Sequence, residues 1–275
     1  MIKSAYPKVM GIINITPDSF YSKSRSLSKD DFITICTKMV EDGADIIDIG
    51  ACSTRPGSTP ISEESEWELL KPITEIIPKR FPSLTFSIDT FRAEIVRRVY
   101  ENTGKFIVND ISAGEDDNNM LPLVAELGLT YIAMHKRGTP QTMQSLTHYD
   151  NIVEDIRNYF TNFITKAKNM GLKDIIIDPG FGFAKTVEQN YTLLKALNSF
   201  RIENGEGGHY PLLAGLSRKG MIWKLLSITP EEALPATTAL NLQALINGAD
   251  ILRVHDVKEA REMVTIYSSQ FSLRT

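Results

Sequence analysis

The chain has 275 residues, of which 42% are hydrophobic and 23% are charged, and its formal net charge is -4. This length suits one large α/β domain as well as two smaller ones. The near balance of acidic and basic residues gives no electrostatic support for a nucleic-acid partner. No apolar run approaches the roughly 18 residues of a membrane span, and residues 1–11 lack the apolar stretch of an export signal.

The only two cysteines, Cys36 and Cys52, are too far apart for a CxxC pair and too few for a zinc cluster. Such sparse use of cysteine fits a reducing compartment. We therefore expect a cytoplasmic protein that does not enter a membrane or bind nucleic acid.

Eight short segments rich in β-branched residues predict strands. Each is apolar at consecutive positions, which is typical of strands that are buried on both faces. The segments are residues 9–14, 45–50, 84–89, 106–110, 130–134, 174–178, 211–215 and 249–254.

Helical patterns lie between most of these strands, with apolar residues three and four positions apart. Examples are Phe32, Ile35, Met39 and Val40, and the segment from Ile152 to Phe163. Alternating strands and helices produce parallel strands joined by right-handed crossovers. Residues 1–275 are therefore predicted to form a single domain of the α/β class, a (β/α)8 TIM barrel. An open doubly wound sheet is the alternative, but the eight repeats and the lack of GxGxxG in the first crossover favour the barrel.

Polar residues stand where most of the predicted strands end, including Asp89, Asn109, Asp178, Ser217 and Arg253. Singly, such residues often cap a helix or form a turn. In a barrel, however, the carboxyl ends of all strands meet at one rim, where barrel enzymes place their chemistry. Residues 16–29 and 51–62 form long connections after the first two strands, and we expect them to be binding loops.

Short motifs follow one another in order along nearly the whole chain. They are residues 14–20, 48–50, 53–57, 87–90, 109–114, 134–135, 137–140, 178–183 with Lys185, 215–219 and 253–257. This ordered set resembles the motifs of the dihydropteroate synthases, a family of pterin-binding (β/α)8 barrels. Each motif is weak by itself, whereas the ordered set is highly specific.

The resemblance implies a transferase of folate biosynthesis. Such an enzyme condenses 6-hydroxymethyl-7,8-dihydropterin pyrophosphate with p-aminobenzoate, and it releases pyrophosphate and 7,8-dihydropteroate. The resemblance also implies Mg²⁺ as cofactor, small-molecule substrates as partners and a homodimer as the assembly.

The resemblance further implies roles for residues of this chain. The catalytic residues would be Asp89, Asp178 and Lys219. The pterin would be bound by Asp89, Asn109, Met134, Asp178, Phe183, Lys219 and Arg253. The pyrophosphate would be bound by Asn14, Arg55, Arg253 and His255, with Asn14 also on the metal. The p-aminobenzoate would be bound by Phe20, Thr54, Arg55, Pro56 and Lys219.

This sequence departs from the family pattern in four places. Residues 21–24 replace the usual Asp-Gly-Gly of the first loop, Cys52 replaces a common Glu, Ala184 a usual Gly, and Gly220 a common Ser. The substitution at Gly220 removes one hydroxyl donor to the p-aminobenzoate carboxylate. The departures affect the predicted p-aminobenzoate contacts more than the pterin contacts.

Two other functions are open alternatives. A folate-dependent corrinoid methyltransferase would share the barrel and the Asp, Asn and Asp pterin contacts, but it has little use for residues that bind pyrophosphate. A catalytically silent paralogue would bind pterin or stabilise a partner, and the altered first loop is compatible with it.

Overall fold

The computed structural model describes residues 7–15, 28–52, 58 and 60–272. The strands are β1 (Lys8–Asn14), β2 (Ile46–Gly50), β3 (Thr85–Asp89), β4 (Ile107–Asp110), β5 (Thr130–Met134), β6 (Ile175–Asp178), β7 (Leu213–Ala214) and β8 (Ile251–Val254). The α-helices are α1 (Lys29–Glu41), α2 (Glu63–Arg80), α3 (Ala93–Thr103), α4 (Met120–Leu127), α5 (Ile152–Asn169), α6 (Val187–Lys195), α7 (Gly220–Leu226), α8 (Leu234–Ile246) and α9 (Val257–Ser272).

The eight strands form one parallel sheet in the order β6-β5-β4-β3-β2-β1-β8-β7. A parallel bridge between Ile177 and Leu212 joins the two ends of this order, so the sheet closes on itself. The predicted (β/α)8 barrel is confirmed, and the open doubly wound sheet is wrong. The seventh strand is shorter than predicted because Pro211 has no N–H to donate and the Leu212 N–H bonds to the Asp250 side chain.

Helix α1 shows how local sequence sets an element of the outer layer. Ser28 caps its first turn, and the side chain of Asp31 reaches back in a capping box. The helix predicted from the apolar spacing is confirmed; Phe32 and Cys36 are its buried residues, whereas Val40 is 40% exposed. The predicted apolar face of α5 is confirmed, since Ile156, Phe160 and Phe163 are buried.

The interior of the barrel begins with an apolar layer near the amino ends of the strands. It is a cluster of seven buried side chains that is separate from the main core: Met10, Ile46, Ile107, Ile132, Ile176, Leu213 and Ile251. We call these seven residues the apolar floor. Because side chains alternate between the two faces of a strand, the residues two positions further on also point into the barrel. The floor therefore fixes which residues face inward at the carboxyl ends.

In the described part of the chain, no helix is both long and apolar enough to cross a membrane.

The apolar floor predicts a large difference between two isoleucine substitutions. Ile132 is fully buried in the floor, whereas Ile266 on α9 is 58% exposed. Ile132→Ala should lower the free energy of unfolding by about 2 to 5 kcal/mol because it leaves a cavity, and Ile266→Ala should change it by about 0.5 kcal/mol at most. Urea unfolding of both variants measures this, and similar losses would show that the floor is not tightly packed.

Candidate active site

A polar layer lies directly above the apolar floor. Asp48, Asn109, Asp178 and Arg253 each stand two positions after a floor residue on the same strand, and Asp48 and Ser87 are paired in the β2 and β3 register. Asp48, Ser87, Asn109 and Asp178 are all buried. The strands are thus apolar where the barrel is closed and polar where its carboxyl ends meet, at the end we call the rim.

The carboxylate of Asp48 is the centre of this layer. Its side chain is fully buried, and it accepts hydrogen bonds from residues on three other strands, β3, β4 and β8. The Ser87 hydroxyl donates to one oxygen, while Asn109 Nδ2 at 3.1 Å and Arg253 Nε at 2.6 Å donate to the other. A buried carboxylate needs such compensation, since an unpaired one is strongly unfavourable.

Arg253 links this centre to Asp89, whose Oδ2 lies 2.9 Å from Arg253 Nη2. Burial opposes the charge of Arg253, but Asp48 and Asp89 outweigh it and raise the pKa of the guanidinium. Burial raises the pKa of Asp89 to about 7 although Arg253 acts in the opposite direction. One guanidinium therefore neutralises two carboxylates only in part, and the Asp89 carboxyl gains or loses its proton near neutral pH.

Asp178 ends β6, and Lys219 lies in the connection between β7 and α7. Burial raises the pKa of Asp178, and the charge of Lys219 opposes this rise. Burial also lowers the pKa of Lys219 to about 8. The charge of Arg253 lowers this pKa further, whereas the carboxylates of Asp178 and Asp89 raise it. The Lys219 amine donates to the Phe181 carbonyl and lies 5.1 Å from the centre of the Phe183 ring. Lys219 therefore belongs to a connected set of two carboxylates, Asp89 and Asp178, and two cationic side chains, Lys219 and Arg253.

The connections after β7 and β8 are tied together beside this set. The Ser217 hydroxyl lies 3.0 Å from His255 Nδ1, and it accepts a hydrogen bond from the His255 backbone N–H. Arg218 makes a two-pronged ion pair with Asp256, at 2.9 and 2.8 Å. Arg218 has a left-handed backbone with φ of 52°, a conformation that is uncommon for residues other than glycine. These ties hold Lys219 and His255 in fixed relation.

Asn14 ends β1 next to Asp89 and Gly50. A Cβ at Gly50 would lie 3.5 Å from Asn14 Oδ1 and 3.4 Å from the Asp89 Cβ. Glycine thus leaves a space one methyl group wide between the amide oxygen and the acid. Oxygen ligands of this kind suit Mg²⁺, which usually keeps several waters and binds substrate phosphates. Among the described residues, no three His, Cys, Asp or Glu side chains are grouped so that they could hold a metal ion.

The structure brings most of the predicted site residues to this one rim. Asp89 and Asp178 both lie close enough to Lys219 to influence its pKa, and Met134 is the register partner of Asp178. The other predicted residues at the rim are Asn14, Asn109, Phe183, Arg253 and His255. Four predicted residues lie outside the described part of the chain: Phe20, Thr54, Arg55 and Pro56. The functional role of each residue stays a prediction.

The sequence patterns predict no role for Asp48, although three residues of the polar layer donate hydrogen bonds to it. The signal was present, because an aspartate in the middle of the apolar run Ile46–Gly50 is unusual. Asp110, which ends β4, stabilises the turn after that strand and does not cap helix α4. Its side chain faces away from the barrel interior and accepts from the N–H groups of Ser112 and Gly114 and from the Tyr131 hydroxyl.

Comparison with known families agrees with this arrangement. The family model described as "Pterin binding enzyme" matches residues 10–255. The dihydropteroate synthase of Escherichia coli strain K12 is 38% identical over 272 residues, which cover 98% of this chain and 94% of that protein. The chain belongs to the dihydropteroate synthase family of pterin-binding enzymes.

Solved structures of this family have the same fold. The Yersinia pestis dihydropteroate synthase, solved as a sulfonamide drug complex, superposes with a TM-score of 0.89 at 35% identity and covers 97% of this chain and 95% of that one. The Burkholderia cenocepacia enzyme, complexed with 7,8-dihydropteroate, gives 0.88 at 33% identity, with 98% and 93% covered. The family predicted from the ordered motifs is confirmed.

The departure from the family pattern at Ala184 has a backbone consequence. Ala184 is buried and has φ of 50°, in the left-handed region where glycine carries no steric cost. The Tyr149 hydroxyl donates to the Ala184 carbonyl at 3.1 Å and helps to hold this conformation. The usual glycine of the family is therefore replaced at some cost in backbone strain.

The raised pKa of Asp89 predicts a pH-dependent stability. The folded protein holds this proton up to about pH 7, whereas an unfolded Asp loses it near pH 3.9. The contribution of the Asp89 carboxyl to the free energy of unfolding therefore falls as the pH rises between these values. The Asp89→Asn variant has no titrating carboxyl at this position. The difference between its free energy of unfolding and that of the unmodified protein should therefore rise by on the order of 1 kcal/mol or more between about pH 5 and pH 8.

Urea unfolding of the two proteins at several pH values measures this difference. Asp30→Asn, at an exposed position on α1, is the control substitution. If the pH curves of Asp89→Asn and the unmodified protein run parallel, the Asp89 carboxyl does not titrate in this range.

Proposed function

We propose that this chain condenses 6-hydroxymethyl-7,8-dihydropterin pyrophosphate with p-aminobenzoate to give 7,8-dihydropteroate and pyrophosphate. The observation that carries the proposal is the connected set of Asp89, Asp178, Lys219 and Arg253 at one rim of a barrel. Family membership over nearly the full length supports the same reaction.

The polar layer has the chemistry that a pterin requires. The edge of a pterin ring is a row of N–H donors and acceptors, and buried Asp and Asn side chains select such a row because a wrong partner leaves them unpaired. We propose that Asp89, Asn109 and Asp178 contact this edge, with Lys219 beside the ring. The side chains of Met134, Phe183 and Arg253 would cover the ring faces, through apolar contact and guanidinium stacking.

We propose that the pyrophosphate binds nearer to the mouth, against Arg253 and His255 and with Arg55 from the second loop. His255 is exposed at the rim and its ring is oriented by Ser217. We further propose that Mg²⁺ is the cofactor, with Asn14 Oδ1 as a protein ligand. When bound, it would neutralise charge on the departing pyrophosphate.

The p-aminobenzoate would bind outside the pterin, between Lys219 and the two loops that carry Phe20, Thr54, Arg55 and Pro56. Arginine suits this role because its planar guanidinium matches a carboxylate. Since the Yersinia pestis relative was solved with a sulfonamide drug, we propose that this drug class competes at the same place.

The residues of the polar layer suggest a dissociative reaction. The reacting carbon is attached to an electron-rich ring, which can share positive charge as pyrophosphate leaves. Asp89 and Asp178 would then stabilise that charge, while Arg253 holds the leaving group. The aniline nitrogen can lose its proton after the bond forms, so the residues need not supply a strong general base.

The alternatives predicted from the sequence are less well supported. A corrinoid methyltransferase has no use for His255 and Arg253 as pyrophosphate contacts, and the relatives compared above are synthases. Product identity separates a synthase from a silent paralogue, which would bind the pterin without releasing pyrophosphate.

We also propose that the protein is a cytoplasmic homodimer. Four of the large apolar side chains exposed on the described surface lie on the last three helices: Leu225, Leu226, Ile246 and Ile266. An apolar surface of this kind is typical of a contact between subunits.

Burial raises the pKa of both Cys36 and Cys52, which keeps the thiols protonated, as suits a reducing compartment.

Three alanine substitutions test the catalytic assignment. Asp89→Ala, Asp178→Ala and Lys219→Ala should each lower turnover by about 100-fold or more, because each removes a charge placed for the transition state. Pyrophosphate release with Mg²⁺ and both substrates measures turnover, and circular dichroism checks the fold. Lys195→Ala, exposed in the last turn of α6, is the control. Turnover within about threefold in all three folded variants, roughly 0.7 kcal/mol on the barrier, would contradict the assignment.

Chelation tests the proposed Mg²⁺ site. Removal of divalent cations with EDTA should abolish pyrophosphate release, and added Mg²⁺ should restore it, because the leaving group would otherwise carry uncompensated charge. Asn14→Ala should raise the Mg²⁺ concentration needed for half-maximal activity by about tenfold, the loss of roughly 1.4 kcal/mol. Full activity in EDTA would show that the reaction does not depend on the metal.

A further inference from the structure

Lys185 is a buried lysine to which the proposed reaction gives no role. It follows the motif Asp178 to Phe183 in the connection between β6 and α6, and it is only 4% exposed. Its amine lies 2.9 Å from the Gly180 carbonyl and 2.8 Å from the Phe183 carbonyl. The other two contacts are the Nδ1 atom of His135, at 3.2 Å, and the His135 carbonyl, at 3.4 Å.

These four acceptors are all neutral, and they belong to two separate segments. Gly180 and Phe183 lie in the connection after β6, whereas His135 directly follows β5. An amine buried among neutral acceptors is costly, and burial lowers the pKa of Lys185 well below its usual range although the nearby Asp178 opposes this. Burial and Lys185 lower the pKa of His135 to about 2, so its ring is neutral and Nδ1 can accept. The amine therefore acts as a cross-link between the two segments.

The connection after β6 needs such a cross-link because its backbone is unusual. Gly180, Gly182 and Ala184 all have positive φ, of 72°, 83° and 50°. A Cβ at Gly180 would lie 2.1 Å from the His135 carbonyl oxygen, which shows how closely the two segments approach. Asn190 Oδ1 accepts from the Gly182 N–H at 2.7 Å, while Lys185 holds the carbonyls on either side.

The same connection carries three groups of the pterin site. Asp178 stands at its start, the Phe181 carbonyl accepts from the Lys219 amine, and the Phe183 ring faces that amine. The side chain of Lys185 is enclosed by this backbone and is not on the open side of the rim. Its influence on a ligand would therefore pass through Phe181 and Phe183.

We propose that Lys185 is a positioning residue for pterin binding, whose amine fastens the connection after β6 to the end of β5 and so sets the Phe183 ring and the Phe181 carbonyl against Lys219. This inference rests on the proposed function, because it takes the pterin pyrophosphate as the ligand.

Lys185→Met is the test, since methionine has a similar length and shape but no donor. The full-length protein is titrated by calorimetry with 6-hydroxymethyl-7,8-dihydropterin pyrophosphate and Mg²⁺, well below the melting temperature of every variant used. We expect the dissociation constant to rise by about tenfold or more. In steady-state assays the KM for the pterin should rise by a larger factor than kcat falls. A general loss of stability would reduce the active fraction, which lowers the apparent kcat but leaves the dissociation constant and KM unchanged.

Lys136→Met is the matched control. Lys136 is also buried and adjoins His135, but its amine pairs with Asp116 and touches none of the four acceptors. Its pterin affinity should stay within about twofold of that of the unmodified protein. An equal loss of affinity in both variants would overturn the proposal, because it would indicate general loosening after β5. Unchanged affinity in Lys185→Met would overturn it directly.

Lys185→Gln keeps the proposal testable if Lys185→Met does not fold. Glutamine retains two N–H donors, but it is shorter and cannot reach both segments, so pterin affinity should still fall by about threefold or more. Affinity equal to that of the unmodified protein would overturn the proposal. If the unmodified protein itself neither binds the pterin pyrophosphate nor releases pyrophosphate with p-aminobenzoate, the proposed function fails, which is a separate outcome.

Discussion

The buried carboxylate of Asp48 is the interaction on which the rest of the site depends. It collects hydrogen bonds from Ser87, Asn109 and Arg253, which stand on three different strands. Those contacts orient Arg253 so that the same guanidinium also reaches Asp89. Removing one partner from such a buried network leaves an uncompensated charge and is far more destabilising than a surface change. The geometry of the rim therefore depends on a residue of the polar layer that is not itself among those proposed to touch the substrates.

The fold could be predicted from the sequence because its determinants are local and repeated. Each strand is marked by a short apolar run, and the alternation with helices leaves few topologies for parallel strands. The limits of the strands were predicted less well where pairing depends on distant residues. The seventh strand shows this, because Asp250 takes the Leu212 N–H that a longer strand would use.

The site could be predicted only in part. Asp89 and Asp178 end strands and Lys219 lies in the connection after β7, so the barrel hypothesis alone brings them together. Asp48 lies within a strand, and its role depends on Arg253, 205 positions away, which no local pattern reveals. Lys185 was recognised as part of a motif, but its contact with His135 requires two adjacent strands to be placed first. Local sequence patterns therefore do not reveal which side chains on different strands contact each other.

The apolar floor affects how ligands can enter and leave the barrel. Its seven side chains fill the barrel near the amino ends of the strands, so among the described residues the polar layer is approached from the rim. A ligand bound against Asn109 and Asp178 would have to pass the position of any second ligand held nearer the mouth. If the two proposed substrates are stacked along that axis, the inner one would have to bind first, and the joined product would have to leave through the rim.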